Sequence, residues 1–121
     1  MGKILIVDDS TAEVANLKSI VAEAGHFPIV VTDGSQAVER AKAEHPDLIF
    51  MDIVMPGVDG YEACRQLGAE PSTSNIPVVM VSSKNQKADH LWAKMQGAKA
   101  LIGKPYTKEE ILSSIRSLVA S

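Results

Sequence analysis

The sequence is short of the features that mark secreted and membrane proteins. It has one cysteine, Cys64, so it cannot form an internal disulfide, and this cysteine usage fits a reducing compartment. The first apolar run covers only the four residues 4–7, which is too short for a signal peptide or a membrane span. We therefore expect a cytoplasmic protein that does not insert into a membrane.

Excess charge of one sign is also missing. The formal net charge is −3 and the isoelectric point is about 5.5, so nothing favours binding to nucleic acid or to an anionic membrane. The length of 121 residues is typical of one domain, and no linker, low-complexity segment or internal repeat divides the chain. We expect a monomer with a single domain over residues 1–121 and no output domain.

What the sequence does contain is a series of short apolar runs. Each run is continuous and does not alternate with polar residues, which indicates strands that are buried on both faces, as in a parallel sheet. The runs are residues 4–7, 29–31, 48–51, 78–81 and 100–102.

Helical patterns lie between the apolar runs. Ser10 with Glu13, and Thr107 with Glu110, have the spacing of a capping box and predict the starts of the first and last helices. The segment 86–95 has the weakest helical pattern of the five. Five buried strands alternating with five helices predict a three-layer α/β domain with a parallel sheet.

Polar side chains follow four of the five predicted strands. Asp8 and Asp9 follow the first, Asp52 the third and Ser82 the fourth, and Lys104 comes shortly after the fifth. The carboxyl ends of parallel strands share one edge of the sheet, where open α/β domains bind their ligands. We therefore expect these five residues to form one site. The second strand contributes no comparable group, as expected for an edge strand.

The chemistry of these residues points to phosphoryl transfer. Three neighbouring carboxylates repel one another, and a hard cation such as Mg²⁺ would relieve that repulsion. Lys104 and Ser82 are suited to bind an anion, the first through its charge and the second as a hydroxyl donor. Such a site works mainly by positioning and charge neutralisation, and the carboxylate of Asp52 can itself be the nucleophile.

At these positions the chain resembles the receiver domain of two-component response regulators, over essentially its full length. The motifs are "ILIVDDS", "DIVMPGVDG", "VVMVSSK" and "GKPYT". Within that family it is most similar to stand-alone receivers of the type IV pilus (twitching-motility) chemosensory system, through "MDIVMPG" and "DHLWAKMQGAKALIGKP".

The resemblance implies a flavodoxin-like (βα)5 fold with the strand order 2-1-3-4-5. It implies Asp52 as phosphoacceptor, with Ser82 and Lys104 binding the phosphoryl group. It implies Mg²⁺ as cofactor, and the metal site would comprise Asp8 (mainly through water), Asp9, Asp52 and the backbone carbonyl of Val54. The implied partners are a histidine kinase or phosphotransfer domain and a downstream effector protein. Such a protein is not a dedicated enzyme, although it should catalyse its own phosphorylation and slow dephosphorylation.

Three positions depart from the family pattern. Val54 has no polar side chain to position a hydrolytic water, and Lys84 is basic at a position that varies widely, so both bear on the lifetime of the phosphate. Leu101 replaces an aromatic residue that often takes part in switching.

Trp92 and Met95 on the fourth helix are expected to serve packing, with a partner-binding surface as the alternative.

Other functions remain open from the sequence. An aspartate-based phosphatase would need a second acid two residues after the nucleophile, where this chain has Val54. A flavodoxin-like electron carrier would need a phosphate-binding first loop, where this chain has two acids, Asp8 and Asp9. A phosphate sink for a chemosensory kinase and a receiver that acts only as a binding module are the remaining alternatives.

Overall fold

The fold is seen in a computed structural model that describes residues 2–119. The strands are β1 (Lys3–Val7), β2 (Phe27–Val31), β3 (Leu48–Met51), β4 (Val78–Ser82) and β5 (Ala100–Gly103). The helices are α1 (Thr11–Glu23), α2 (Ala37–Glu44), α3 (Gly60–Ala69), α4 (Lys87–Met95) and α5 (Lys108–Leu118), with a single 3-10 turn (Gly34–Gln36) before α2. The five strands pair in parallel in the order β2-β1-β3-β4-β5, so the predicted topology is confirmed.

The sheet is buried on both faces, as its continuous apolar strands predict. Along β1, Ile4 and Ile6 point to the side covered by α1 and α5, whereas Leu5 and Val7 point to the side covered by α2, α3 and α4. Each fully buried side chain of this size stabilises the fold by about 1.5–3 kcal/mol. This two-sided burial fixes the ends of the strands, and with them the residues that follow each strand.

The helix starts agree only in part with the predicted caps. At α5, Thr107 and Glu110 form a complete capping box. At α1, Ser10 Oγ accepts a hydrogen bond from the Glu13 amide, but the Glu13 side chain does not return the bond. Its carboxylate lies 3.8 Å from the ammonium of Lys104. The predicted capping box at Ser10 is therefore only half formed, because Glu13 faces the strand-end residues.

The fourth helix corrects one prediction. Trp92 and Met95, which were expected to pack, are 45% and 64% exposed. Trp92 does contact the α3 residue Tyr61 edge-on, with 6.4 Å between ring centroids, but Met95 does not lie in the core. Cys64 on α3 is buried. Within residues 2–119, the helices are too short or too polar to cross a bilayer.

Candidate functional site

Backbone hydrogen bonds hold the polar strand-end residues in place. The Asp8 amide donates to the carbonyl of the last residue of β2 at 3.2 Å, and the Asp52 amide donates to Val7 at 2.9 Å. The Lys104 amide donates to the Ser82 carbonyl at 3.0 Å. These bonds continue the ladder just past the strands, so the side chains start from rigid backbone and not from mobile loops.

Three carboxylates meet at this edge of the sheet. Asp8, Asp9 and Asp52 each offer an oxygen, and these oxygens lie within 4.8 Å of one another. Asp8 is 1% exposed and Asp52 is 9% exposed, whereas Asp9 lies open to solvent. A cluster of carboxylate oxygens with access to water has the donor chemistry that Mg²⁺ prefers. The residues present therefore fit that ion.

Lys104 is the cationic centre of the site. Its ammonium Nζ lies 3.0 Å from Asp8 Oδ2, 3.1 Å from Asp52 Oδ2 and 3.8 Å from Glu13. Partial burial disfavours the charge, but the hydrogen bonds and the attraction of Asp8 and Asp52 outweigh it, so the pKa of Lys104 is raised above the ordinary lysine value. The ammonium therefore stays charged throughout the physiological range.

The remaining expected residues surround Asp52 less directly. The Val54 amide donates to Asp52 Oδ1 at 3.3 Å, while the Val54 side chain is exposed. Ser82 is fully buried, and its Oγ accepts a hydrogen bond from the Lys84 amide at 3.2 Å. Leu101 is buried in the core on β5. The Lys104–Pro105 peptide bond is cis.

Sequence reasoning missed two residues of this site. Glu13 was interpreted as half of a capping box, yet it adds a further carboxylate beside Lys104. Gly60 is part of the Asp-Gly pair at residues 59–60, which is typical of a turn and gave no reason to place Gly60 at the site. A Cβ at Gly60 would lie 2.2 Å from the carbonyl oxygen of Asp52, so the first residue of α3 must be a glycine for the helix to pack against the backbone of Asp52. The Asp-Gly dipeptide was the signal, but only the fold shows what it approaches.

Known proteins are similar to this chain in sequence. The family model for the response regulator receiver domain matches residues 4–116. Protein PilH of Pseudomonas aeruginosa is 42% identical over 120 residues, with 99% of each chain covered. Protein PilG of the same organism is 32% identical, with 98% of this chain and 88% of PilG covered. These two relatives confirm the narrower resemblance to receivers of the pilus system.

A solved structure is also similar. The receiver domain of a sensor histidine kinase from Pseudomonas aeruginosa, with a magnesium ion coordinated in its active site cleft, has a TM-score of 0.91 and 25% identity to this chain. The alignment covers 99% of this chain and 98% of that one. Sequence and fold thus lead to the same result: the chain belongs to the response regulator receiver domain family.

Proposed function

We propose that this receiver accepts a phosphoryl group on Asp52 from the phosphohistidine of a histidine kinase or phosphotransfer domain. The observation that carries the proposal is the surroundings of the Asp52 carboxylate. One oxygen accepts from the Lys104 ammonium at 3.1 Å and the other from the Val54 amide at 3.3 Å. The carboxylates of Asp8 and Asp9 lie beside it. Asp52 is thus held rigidly in a site rich in acids.

In the proposed step, an Asp52 carboxylate oxygen attacks phosphorus and forms the new P–O bond. The P–N bond of the phosphohistidine breaks, and the imidazole nitrogen keeps the electron pair. Lys104 pairs with a phosphoryl oxygen as the Asp52 carboxylate loses its own charge in the acyl phosphate. The Ser82 hydroxyl donates a hydrogen bond to another phosphoryl oxygen. Its O–H is available for this, because Ser82 Oγ is the acceptor in its present hydrogen bond from the Lys84 amide.

Magnesium is the cofactor in this proposal. Asp9, Asp52 and the carbonyl of Val54 would bind the ion directly, and Asp8 would bind it through water. A bound Mg²⁺ supplies positive charge that offsets the repulsion between phosphoryl oxygens and carboxylates. The clustering of the three carboxylates and the magnesium ion in the related receiver structure support this assignment.

The proposed role is that of a cytoplasmic, monomeric response regulator whose receiver domain comprises residues 1–121. Phosphorylation would change the loop after β4 and helix α4, and that surface would control a protein partner in pilus-based motility. The support is the similarity to PilH along 99% of both chains and the exposed Leu91, Trp92 and Met95 on α4.

The test is phosphorylation of the purified protein by a small phosphoryl donor in the presence of Mg²⁺. We expect acid-labile phosphate on the wild type and none on Asp52→Asn, with the fold intact in both proteins. Asp33→Asn is the matched control, because Asp33 is also a strand-end acid but caps the 3-10 turn. Undiminished phosphate incorporation in Asp52→Asn, measured by intact mass, would refute the assignment.

A further inference from the structure

A second charged cluster lies between α3 and the start of α4. At its centre is the carboxylate of Asp89, which is 8% exposed. It accepts three hydrogen bonds: from Lys84 Nζ at 2.9 Å, from the Gln86 amide at 3.0 Å and from the Tyr61 hydroxyl at 3.2 Å. We refer to Tyr61, Lys84 and Asp89 as the Asp89 cluster. It joins the loop after β4 to two helices.

Lys84 connects this cluster to the phosphoryl site. Its backbone amide donates to Ser82 Oγ, the hydroxyl proposed to bind the phosphoryl group. Its side chain reaches Asp89 in the first turn of α4. One residue is therefore held at both ends, by the hydroxyl that must respond to phosphate and by the helix that must transmit the response.

Loss of the ion pair would cost Asp89 more free energy than Lys84, because Asp89 is the more buried of the two. The Lys84 side chain is 51% exposed and keeps water around its ammonium, whereas the Asp89 side chain is only 11% exposed. A buried carboxylate that loses a donor is costly, because water does not replace the lost bond fully. The hydrogen bond from Lys84 also lowers the pKa of Asp89, which shows that the charged form is favoured here.

We propose that the Asp89 cluster is a latch that holds the loop after β4 in the arrangement seen here and so opposes phosphoryl binding. This inference rests on the proposed function. When Ser82 turns its hydroxyl to a phosphoryl oxygen and the loop follows, Lys84 moves relative to Asp89. The pairing of Lys84 with Asp89 stabilises only the present arrangement of the loop. A ligand that favours the other arrangement must break this pairing, and this lowers its affinity. Asp89 and Lys84 are thus positioning residues that act through Ser82.

The structure offers a natural reporter of the latch. Tyr61, which donates to Asp89, meets the ring of Trp92 at an angle of 86°. Opening of the cluster therefore changes the surroundings of Trp92, and its fluorescence should change with it.

The experiment measures the affinity of the full chain for beryllofluoride with Mg²⁺ by calorimetry. Lys84→Met removes the ammonium but keeps most of the apolar stem, and we expect the affinity to increase about two- to fivefold, the range that corresponds to one partly exposed ion pair. Lys84→Arg should restore the wild-type affinity. Tyr61→Phe keeps the ring packing and should increase the affinity less.

The matched control is Lys42→Met, which breaks another ion pair away from Ser82, between Lys42 on α2 and Glu70 just after α3, at 3.1 Å. It should lower thermal stability as Lys84→Met does and leave the beryllofluoride affinity unchanged. Unchanged or weaker binding by Lys84→Met, with wild-type binding intact, overturns the latch alone. A wild type that neither binds beryllofluoride nor takes up phosphate overturns the proposed function and the latch with it.

Discussion

The two charged clusters of this receiver differ in how their charges balance. In the Asp89 cluster, one buried carboxylate has three donors, from Lys84, Gln86 and Tyr61. Around Lys104 the proportion is reversed, since a single ammonium faces the carboxylates of Asp8, Asp52 and Glu13. Both clusters lie at loops that follow strands, so position alone does not separate them.

The imbalance distinguishes a binding site from a structural contact. A buried acid with enough donors holds its neighbours together and needs nothing further. Asp8, Asp9 and Asp52 carry more negative charge than Lys104 neutralises, and this repulsion costs folding energy until a cation arrives. Uncompensated charge of this kind is typical of functional sites, and its function here is the proposed binding of Mg²⁺ and a phosphoryl group.

The largest effect should follow from removing the cation of the acidic site. Lys104→Met would leave Asp8 and Asp52 facing each other without their shared ammonium. We expect a loss of about 2–3 kcal/mol in the free energy of unfolding in metal-free buffer, less than for a fully buried pair because the site borders solvent. Added Mg²⁺ should recover part of that loss. Denaturant unfolding with and without Mg²⁺ measures both effects, and an unchanged stability would mean that the acids do not repel.

Most of the fold could be predicted because burial on both faces leaves a simple pattern. Continuous runs such as residues 48–51 identified every strand, and β3 has the bounds predicted for it. Helix α4 was the weak prediction because its most buried apolar residue is the small Ala93, while Met95 is exposed. Its start is secured by Asp89, which accepts hydrogen bonds from the Gln86 amide at the helix start and from Tyr61 on another helix. The Gln86 contact is local in sequence, but the Tyr61 contact leaves no local signal.

The site was predictable to the extent that strand ends determine it. Asp8, Asp9 and Asp52 were expected to meet, and they do. The contact of Glu13 with Lys104 could not be predicted, because a glutamate at this position of the helix is compatible with a capping box and with that contact alike. Contacts across the sheet edge depend on how α1 lies on the sheet, and that is a property of packing and not of local sequence.

The second prediction concerns a substitution that disturbs the geometry of the acidic site without changing its charges. In Gly60→Ala the new Cβ would meet the Asp52 carbonyl at 2.2 Å and the Ile53 Cα at 2.7 Å. Because both are backbone atoms, α3 or the end of β3 must shift, at a cost of about 1–3 kcal/mol. Phosphorylation by a small donor should slow about tenfold, since a displacement near 1 Å can cost more than that.

Gly68 provides the control for this substitution on the same helix. A Cβ at Gly68 meets nothing within 4 Å. Gly68→Ala should therefore stabilise the protein by up to about 1 kcal/mol through its helix propensity. It should leave phosphorylation unchanged. Equal phosphorylation rates in the two variants would show that the close approach of Gly60 to Asp52 has no functional consequence.

A third prediction reduces the excess charge itself. Asp9→Ala removes an exposed carboxylate from the acidic site, so Mg²⁺ should bind about tenfold more weakly or worse. In metal-free buffer the same variant should melt at a higher temperature than the wild type, because one source of repulsion is gone. Calorimetric titration and thermal melts test the two halves separately. Unchanged Mg²⁺ affinity would remove Asp9 from the set of metal ligands.

The smallest effect concerns the balanced cluster and its dependence on pH. Lys84 lowers the pKa of Asp89 below the ordinary value of 3.8, so the folded state favours the charged carboxylate. Stability from this pairing is therefore present above pH 3.8 and is lost as the pH falls through the lowered pKa of the folded state. Thermal melts of the wild type and Asp89→Asn should differ most near neutral pH and converge in acid. The carboxylates around Lys104 are the same in both proteins, so their contribution cancels in this difference. A difference that stays constant from neutral to strongly acidic pH would show that the Asp89 cluster is held by its neutral hydrogen bonds and that its charge contributes nothing.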